Sequence, residues 1–117
     1  MSVPAMASAR LVSADVLAEA LPPDGASESL ATAHVVLGQS WTCDLGLWEA
    51  GPGTDVDVES EELFLVLSGA GTVTFADGSR IDLRRGVLVH LRAGDRTTWE
   101  ITDRVRKLFL SGPPAGG

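Results

Sequence analysis

Several features that define whole classes of proteins are absent or scarce in these 117 residues. The one cysteine, Cys43, cannot form a disulfide within the chain or build a cysteine-rich zinc site. We expect Cys43 to be a small buried apolar residue of a cytoplasmic protein. No apolar run exceeds five residues, which excludes a transmembrane helix. The first ten residues lack a basic segment followed by an apolar one, so we expect no secretory signal.

Basic residues are scarce too, with nine against sixteen acidic residues and a net charge of −7. Nucleic-acid binding needs a basic surface to neutralise phosphates, so we expect no nucleic-acid partner and no membrane partner. Eight of the nine basic residues fall within 80–117, whereas twelve of the sixteen acidic residues fall within 1–79. We interpret this segregation of charge as solvated surface.

Apolar residues make up 44% of the chain, which is enough for one packed core. We expect an N-terminal tail with a short helix over 1–30, a β-barrel over 31–111 and a flexible tail over 112–117. Within the first segment, Ser13 is a candidate N-cap for a helix over 14–20, and Pro22-Pro23 would end it. Residues 22–29 are predicted to form a loop.

From residue 31 onward, short apolar runs separated by turn residues predict β-strands. Asp77-Gly78 is typical of a hairpin turn, because glycine adopts the positive φ that such turns require. Strands at this spacing are typical of a sandwich or a barrel. The candidate strands are 33–38, 43–50, 54–58, 62–68, 71–76, 79–83, 86–91, 96–101 and 105–110, and turns are predicted at 51–53, 76–78 and 93–95.

The predicted strand over 63–67 is apolar on both faces. One face can fill the barrel, whereas the other must be covered by the N-terminal segment or by a second subunit. Because a small barrel also leaves sheet edges open, we expect a homodimer.

Two spaced motifs occupy the middle of the chain. Glu62 is followed by six residues and then Gly69, and Gly86 is followed by a strand and then Ala93-Gly94. They are flanked by Gly46-Leu47-Trp48-Glu49 with Pro52-Gly53, and by Trp99-Glu100-Ile101 with Val105-Arg106-Lys107. This ordered set over 43–110 resembles the cupin superfamily, in the small single-domain branch related to ureidoglycine aminohydrolase and the ethanolamine-utilisation cupin. The resemblance implies an all-β fold, a small antiparallel barrel of the jelly-roll type.

The resemblance also implies where a metal would bind. Cupin metal centres use three histidines and a glutamate, and of these only Glu62 is retained. The histidine positions fall at Val56 and Val58 (or at Asp55 and Asp57, if the spacing is four) and at Thr97. Transition-metal sites need about three or four protein ligands, so we expect no bound metal and no other cofactor.

The last two predicted strands place Lys107 inside the barrel. A hairpin closed at 102–104 would pair Glu100 with Arg106 and Trp99 with Lys107, as well as Ile101 with Val105. Lys107 would then share the inward face with Trp99 and Thr97. A buried ammonium needs a partner, and Glu62 is the obvious one.

We predict a ligand pocket around this pair. Its candidate residues are Glu62, Lys107, Trp99, Trp48, Thr97, His90 and Phe64. For each, the alternative is structural: Glu62 in an exposed acidic run, Lys107 at the barrel rim, the tryptophans as core and His90 as a hydrogen-bonded strand residue. His34 is expected to be structural. The acidic run 55–62 is expected to be a solvated loop rather than a calcium site, because it lacks an EF-hand pattern.

Three hypotheses for function follow. The first is a cupin with a degenerate metal site that binds a small polar metabolite, with Lys107 facing a ligand carboxylate and Glu62 an amine or amide. The second is a metal-dependent enzyme of the aminohydrolase or dioxygenase type that uses Glu62 and His90. The third is a non-catalytic structural or partner cupin. No pattern in the sequence assigns a reaction.

Overall fold

Seven antiparallel strands make up the whole regular structure of the part of the chain that the computed structural model describes, residues 8–40 and 42–112. They are β1 (Thr32–Ser40), β2 (Cys43–Ala50), β3 (Gly53–Val58), β4 (Glu62–Phe75), β5 (Arg80–Leu83), β6 (Leu88–Leu91) and β7 (Arg96–Ser111). The predicted all-β, antiparallel fold is confirmed. The predicted flexible tail falls, except for Gly112, outside the described residues.

Two long strands organise the sheet. β4 and β7 pair along their whole lengths, from Glu62 opposite Ser111 to Phe75 opposite Thr97. The strand order is β1-β2-β7-β4-β5, while β3 pairs with the first half of β7 and β6 with the first half of β4. Each long strand therefore takes different partners in its two halves, as expected where a sheet bends to close around a core.

The sequence prediction divided each long strand into two. The predicted strands 62–68 and 71–76 are both parts of β4, and 96–101 and 105–110 are both parts of β7. Residues 102–104 do not close a hairpin, so the predicted pairing of Glu100 with Arg106 is wrong. The reason lies in the bulges of the β4–β7 ladder between residues 66 and 71, which bend the strands without ending them.

Gly69 is the glycine that this bend requires. Its φ of +94° suits glycine, and a Cβ added there would lie 2.0 Å from the carbonyl oxygen of Arg104. Before the bend, the buried residues of β4 are even-numbered (Phe64 and Val66), whereas after it the buried residue is the odd-numbered Val73. A single strand thus contributes to the core on both sides of the bulge.

The predicted turns lie where the structure has turns. Asp77 and Gly78 connect β4 to β5, with Gly78 at a φ of +87° and the Phe75 amide donating to the Ser79 carbonyl oxygen. Residues 51 and 52 connect β2 to β3, and Gly53, the last residue of this predicted turn, begins β3. Residues 93–95 lie in the connection between β6 and β7. Glycine, proline and aspartate, which favour turns, identified these positions.

The predicted helix over 14–20 is wrong. The structure has one hydrogen-bonded turn at 16–18, in which the Leu17 amide donates to Asp15 Oδ1 and the Ala18 amide to the Asp15 carbonyl. The Ser13 hydroxyl donates to Glu19 Oε1 instead of capping a helix. Leu17 remains 56% exposed, and a seven-residue helix with no apolar face buried is not stable by itself.

The core lies between the two halves of the folded sheet. It consists of the buried inward-facing residues Leu30, Ala50, Phe64, Val66, Val73, Leu83, Val89, Leu91, Trp99, Ile101 and Val105. The N-terminal segment is held on the outside by Arg106, whose Nη1 donates to the carbonyl oxygens of Val16, Leu17 and Glu19. Arg106 also pairs with Glu49, at 2.9 Å from Nη2 to Oε2.

The outward face of β4 is apolar, as the sequence predicted. Leu63 on β4 is 43% exposed, and Leu88, which lies opposite Leu65 on β6, is 69% exposed. The segment held by Arg106 therefore leaves these leucines in contact with solvent. Residues 8–40 and 42–112 include no helix that could span a membrane.

Candidate functional site

A cavity of about 210 Å³ opens at one end of the barrel. Its walls come from the inward faces of β1, β2, β3 and β7 and from the first residue of β4, and the loop before β1 contributes Ala26, Ser27 and Leu30. The other lining residues are Thr32, His34, Trp48, Asp55, Asp57, Glu59, Glu62, Trp99, Lys107 and Phe109. Four carboxylates, one lysine and an aromatic wall thus converge on one space.

Lys107 and Glu62 form the centre of the cavity wall. Lys107 Nζ donates to Glu62 Oε2 at 2.6 Å, and their side chains are 7% and 18% exposed. The structure therefore brings together the two groups that the motif spacing and the strand periodicity placed on one face. Although 102–104 form no hairpin, residues 99 and 107 share a face because a continuous strand alternates with a period of two.

Three aromatic rings enclose the Lys107 ammonium. Nζ lies 4.4 Å from the centroid of Phe64, 4.7 Å from that of Trp48 and 5.1 Å from that of Trp99. Trp99 also packs against the other two rings, with both centroid distances at 5.7 Å. The negative faces of such rings stabilise a cation within about 6 Å. The lysine charge is thus balanced by one carboxylate and three rings.

Glu59 is a site residue that the sequence analysis missed. Its Oε2 accepts hydrogen bonds from Thr97 Oγ1 at 2.6 Å and from Trp99 Nε1 at 2.9 Å. Burial raises the pKa of the Glu59 carboxyl above its usual 4.5, and the nearby charge of Asp57 adds to this rise. The hydrogen bonds and Lys107 act in the opposite direction without cancelling it. Thr97, at a family histidine position, thus orients an acid instead of binding a metal.

Only residues 59–61 of the acidic run 55–62 form the loop that the sequence analysis expected, with Ser60 and Glu61 exposed. Residues 55–58 belong to β3, in which Asp55 and Asp57 face the cavity while Val56 and Val58 point outward. The alternation of a β-strand places both aspartates on the face that pairs with Trp99 and Thr97. The strand periodicity of Asp-Val-Asp-Val was the signal that could have shown this.

The loop before β1 closes one side of the cavity. Ser27 Oγ donates to Asp55 Oδ2 at 2.6 Å, and His34 Nδ1 lies 2.6 Å from Asp24 Oδ2. Burial acts to raise the pKa of Asp24, but hydrogen bonds from Thr32, Ala26 and His34 outweigh it, and the pKa is lowered. His34, which we expected to be structural, both fixes this loop and lines the cavity.

His90 does not belong to the pocket. It lies on the outward face of β6 beside the exposed Leu88, and its Nε2 pairs with a carboxylate oxygen of Glu61. The sequence analysis included His90 among the pocket candidates, but the period of two along β6 places it with Leu88 on the outer face. Phe64 and Thr97 do not line the cavity either; they contact Lys107 and Glu59, which do.

The residues at the family's metal-ligand positions do not fit a transition metal. Lys107 donates to Glu62, the Thr97 hydroxyl donates to Glu59, and Val56 and Val58 point outward. At the other spacing the two positions carry Asp55 and Asp57, which face the cavity and accept hydrogen bonds from Ser27 Oγ and the Val58 amide. Over residues 8–40 and 42–112, no group of three or more histidine, cysteine, aspartate and glutamate side chains has an arrangement that could hold a metal ion. The aromatic rings around Lys107 supply no ligand atoms.

A second depression is larger but chemically poorer. It measures about 480 Å³ and is more open, and it lies at the ends of β3, β4 and β7 beside Val56, Phe75 and Arg96. It shares Asp57 with the smaller cavity, and Val56 in its wall is 71% exposed. Ligand sites combine an enclosed shape with a few convergent polar groups, so the smaller cavity is the candidate site.

Comparison with known proteins identifies the same architecture. Residues 37–109 match the family model of the EutQ-like cupin domain. The EutQ protein of Clostridium difficile has 18% sequence identity and a TM-score of 0.63, over 75% of this chain and 71% of that one. No curated protein matches the sequence significantly.

Two further solved structures share the fold. A cupin superfamily protein of Desulfitobacterium hafniense is 22% identical, with a TM-score of 0.57 over 68% of this chain and 75% of that one. A DUF861 family protein of Thermotoga maritima is 28% identical, with a TM-score of 0.51 over 54% of this chain and 73% of that one. The cupin-type barrel implied by the sequence motifs is thereby confirmed.

Proposed function

The chain belongs to the EutQ-like cupin domain family, and from that premise we propose that it binds a small polar metabolite in the barrel cavity without a metal ion. The Lys107 ammonium takes the place of the metal and neutralises Glu62, the one family ligand that is retained. The reaction, if the ligand is transformed, is unassigned.

One observation supports this proposal above the others. Lys107, the single lysine of the chain, donates to Glu62 at 2.6 Å inside a box of three aromatic rings. A metal cation near Glu62 would meet the repulsion of this ammonium in a poorly solvated space. The remaining polar groups still point into an open cavity, which favours a ligand over a barrel that is packed shut.

The test combines metal analysis with ligand screening. Elemental analysis by mass spectrometry of protein purified without added metal is expected to find manganese, iron, nickel and zinc well below stoichiometry. A library of polar metabolites is then screened by thermal unfolding, because a ligand specific to the folded state raises the unfolding temperature by mass action. A stoichiometric transition metal, or a library without any stabilising compound, would overturn the proposal.

We also propose that the protein is a homodimer. The apolar outward face of β4 and β6, with Leu63 and Leu88 exposed, supports this proposal. We further propose a cytoplasmic location, because a single cysteine suits a reducing compartment.

A further inference from the structure

The cavity has a charge that its ligand must match. Of the charged side chains that line it, four are carboxylates and one is an ammonium. The ammonium of Lys107 is already matched by Glu62 and the three rings. Asp55, Asp57 and Glu59 also face the cavity, and none of the three forms an ion pair within the described part of the chain.

The hydrogen bonds of two of these acids leave oxygens available. Both bonds to Glu59 fall on Oε2, and the bond from the Val58 amide to Asp57 falls on Oδ1. Among the described residues, neither Glu59 Oε1 nor Asp57 Oδ2 receives a hydrogen bond. A donor that bears positive charge would satisfy both oxygens.

The apolar side of the cavity indicates an organic cation rather than a bare ion. Trp48, Leu30 and Phe109 line the cavity next to the acids. The indole of Trp48 already lies 4.7 Å from one ammonium, that of Lys107. A hydrated metal ion gains nothing from such walls, whereas an alkylammonium buries its carbon chain against them.

We propose that the cavity selects a small organic cation, a primary amine with a short apolar chain, whose ammonium binds Asp57 and Glu59 beside Asp55 while its carbons pack on Trp48. This inference rests on the proposed function and narrows it to a ligand class. It also replaces the expectation that Lys107 receives a ligand carboxylate, because an anion entering this cavity would face three unneutralised acids. A volume of about 210 Å³ is below the range of about 300–1,000 Å³ for drug-sized ligands, which suits a small metabolite.

A matched series of probes tests the charge preference. Binding of n-butylamine, 1-butanol and sodium butyrate to the full chain is measured by isothermal titration calorimetry at pH 7.5. The amine is expected to bind at least about tenfold more tightly than the alcohol, and butyrate no more tightly than the alcohol. Raising the salt from about 20 mM to about 500 mM is expected to weaken binding of the amine alone.

Two substitutions locate the interaction. D57N is expected to weaken binding of the amine by about three- to tenfold and to leave binding of the alcohol unchanged. D82N is the matched control, because Asp82 lies on β5 outside the cavity with its side chain 63% exposed.

The outcomes separate this inference from the proposed function. Tighter binding of butyrate than of butylamine, or equal losses in D57N and D82N, would overturn the proposal that the ligand is an organic cation. If no probe binds, the metabolite library decides: a stabilising amine supports the inference, and an anionic or neutral ligand overturns it while the proposed function stands. A library without any stabilising compound overturns both.

Discussion

Lys107 and Glu62 are joined by a hydrogen bond of 2.6 Å although they are not partners in the sheet. In the ladder between β4 and β7, Lys107 lies opposite Val66 and Glu62 opposite Ser111. The lysine side chain therefore reaches along the inward face, between the rings of Trp48 and Phe64, to the first residue of β4. This geometry makes the charge pair part of the barrel's packing as well as of its cavity.

Removal of the lysine alone is expected to destabilise the fold. K107M leaves Glu62 facing three rings without a cation, and breaking a buried pair in this way costs about 3–5 kcal/mol. Because Glu62 is 18% exposed, we expect a loss of about 2–4 kcal/mol in urea unfolding followed by tryptophan fluorescence. E62M/K107M replaces the pair with apolar side chains and is expected to lie within about 1 kcal/mol of the wild type. Equal losses in the two variants would contradict this account.

Glu59 is expected to make stability fall as the pH rises. Its pKa is raised in the folded protein, chiefly by burial, so the folded state holds the proton more tightly than the unfolded state. The resulting stabilisation is complete below the usual pKa of 4.5 and is lost as the pH rises through the folded-state pKa. E59Q, whose amide oxygen can still accept from Thr97 and Trp99, should therefore be more stable than the wild type at pH 7. This gain should disappear below about pH 4.5.

The pKa of Glu61 is shifted in the opposite direction to that of Glu59. The hydrogen bond with His90 lowers the pKa of Glu61, so its contribution to stability is present above the usual 4.5 and is lost in acid. E61Q should therefore be no more stable than the wild type at pH 7, and any loss should disappear in acid. Urea unfolding at several pH values from 4 to 8 measures both variants. A gain in both at neutral pH would indicate an effect of net charge instead of burial.

The inward position of Lys107 was predictable because it depends only on strand periodicity. Residues 99 and 107 share a face both in the predicted hairpin and in the continuous strand. The continuity itself was not predictable, since Thr102-Asp103-Arg104 has the composition of a turn. In the structure these residues are exposed at the bulged bend, where Thr102 Oγ1 donates to the carbonyl oxygen of Ala70. Ala70 lies 32 residues from Thr102 in the sequence. Pairing with the distant strand β4 therefore decides whether these residues form a turn or part of a strand.

Glu59 could not be identified for a related reason. It lies between β3 and β4, where no strand periodicity fixes the direction of a side chain. Its position is set by Thr97 and Trp99, which are 38 and 40 residues further along the chain. The helix predicted over 14–20 is wrong for the opposite reason. Its local signals were adequate, but tertiary packing that would stabilise so short a helix is missing.

Gly69 is expected to tolerate no side chain. G69A would bring a Cβ within 2.0 Å of the Arg104 carbonyl oxygen, and the neighbouring backbone of β7 cannot move without breaking the ladder. We expect the free energy of unfolding to fall by at least about 3 kcal/mol, or the variant not to fold.

G78A is the matched control, because Gly78 has a similar φ of +87° and no atom within 4 Å of the added Cβ. Its loss should be about 1–2 kcal/mol, the cost of the left-handed conformation. Similar losses at both positions in urea unfolding would show that the bend relaxes around the new side chain.

The exposed leucines predict where the proposed dimer forms. Leu88 lies on the outward face of β6 beside β4 and is 69% exposed. A stable interface buries about 800 Å² on each subunit, and a carboxylate in an apolar interface of this kind would be left buried and unpaired. Light scattering at tens of micromolar should therefore show a dimer for the wild type and a monomer for L88E, with unchanged circular dichroism. V56E is the control, because Val56 is 71% exposed on β3, where it pairs with β7 away from β6. V56E should remain dimeric. A monomeric wild type, a dimeric L88E or dissociation of both variants would exclude the β4–β6 face as the interface.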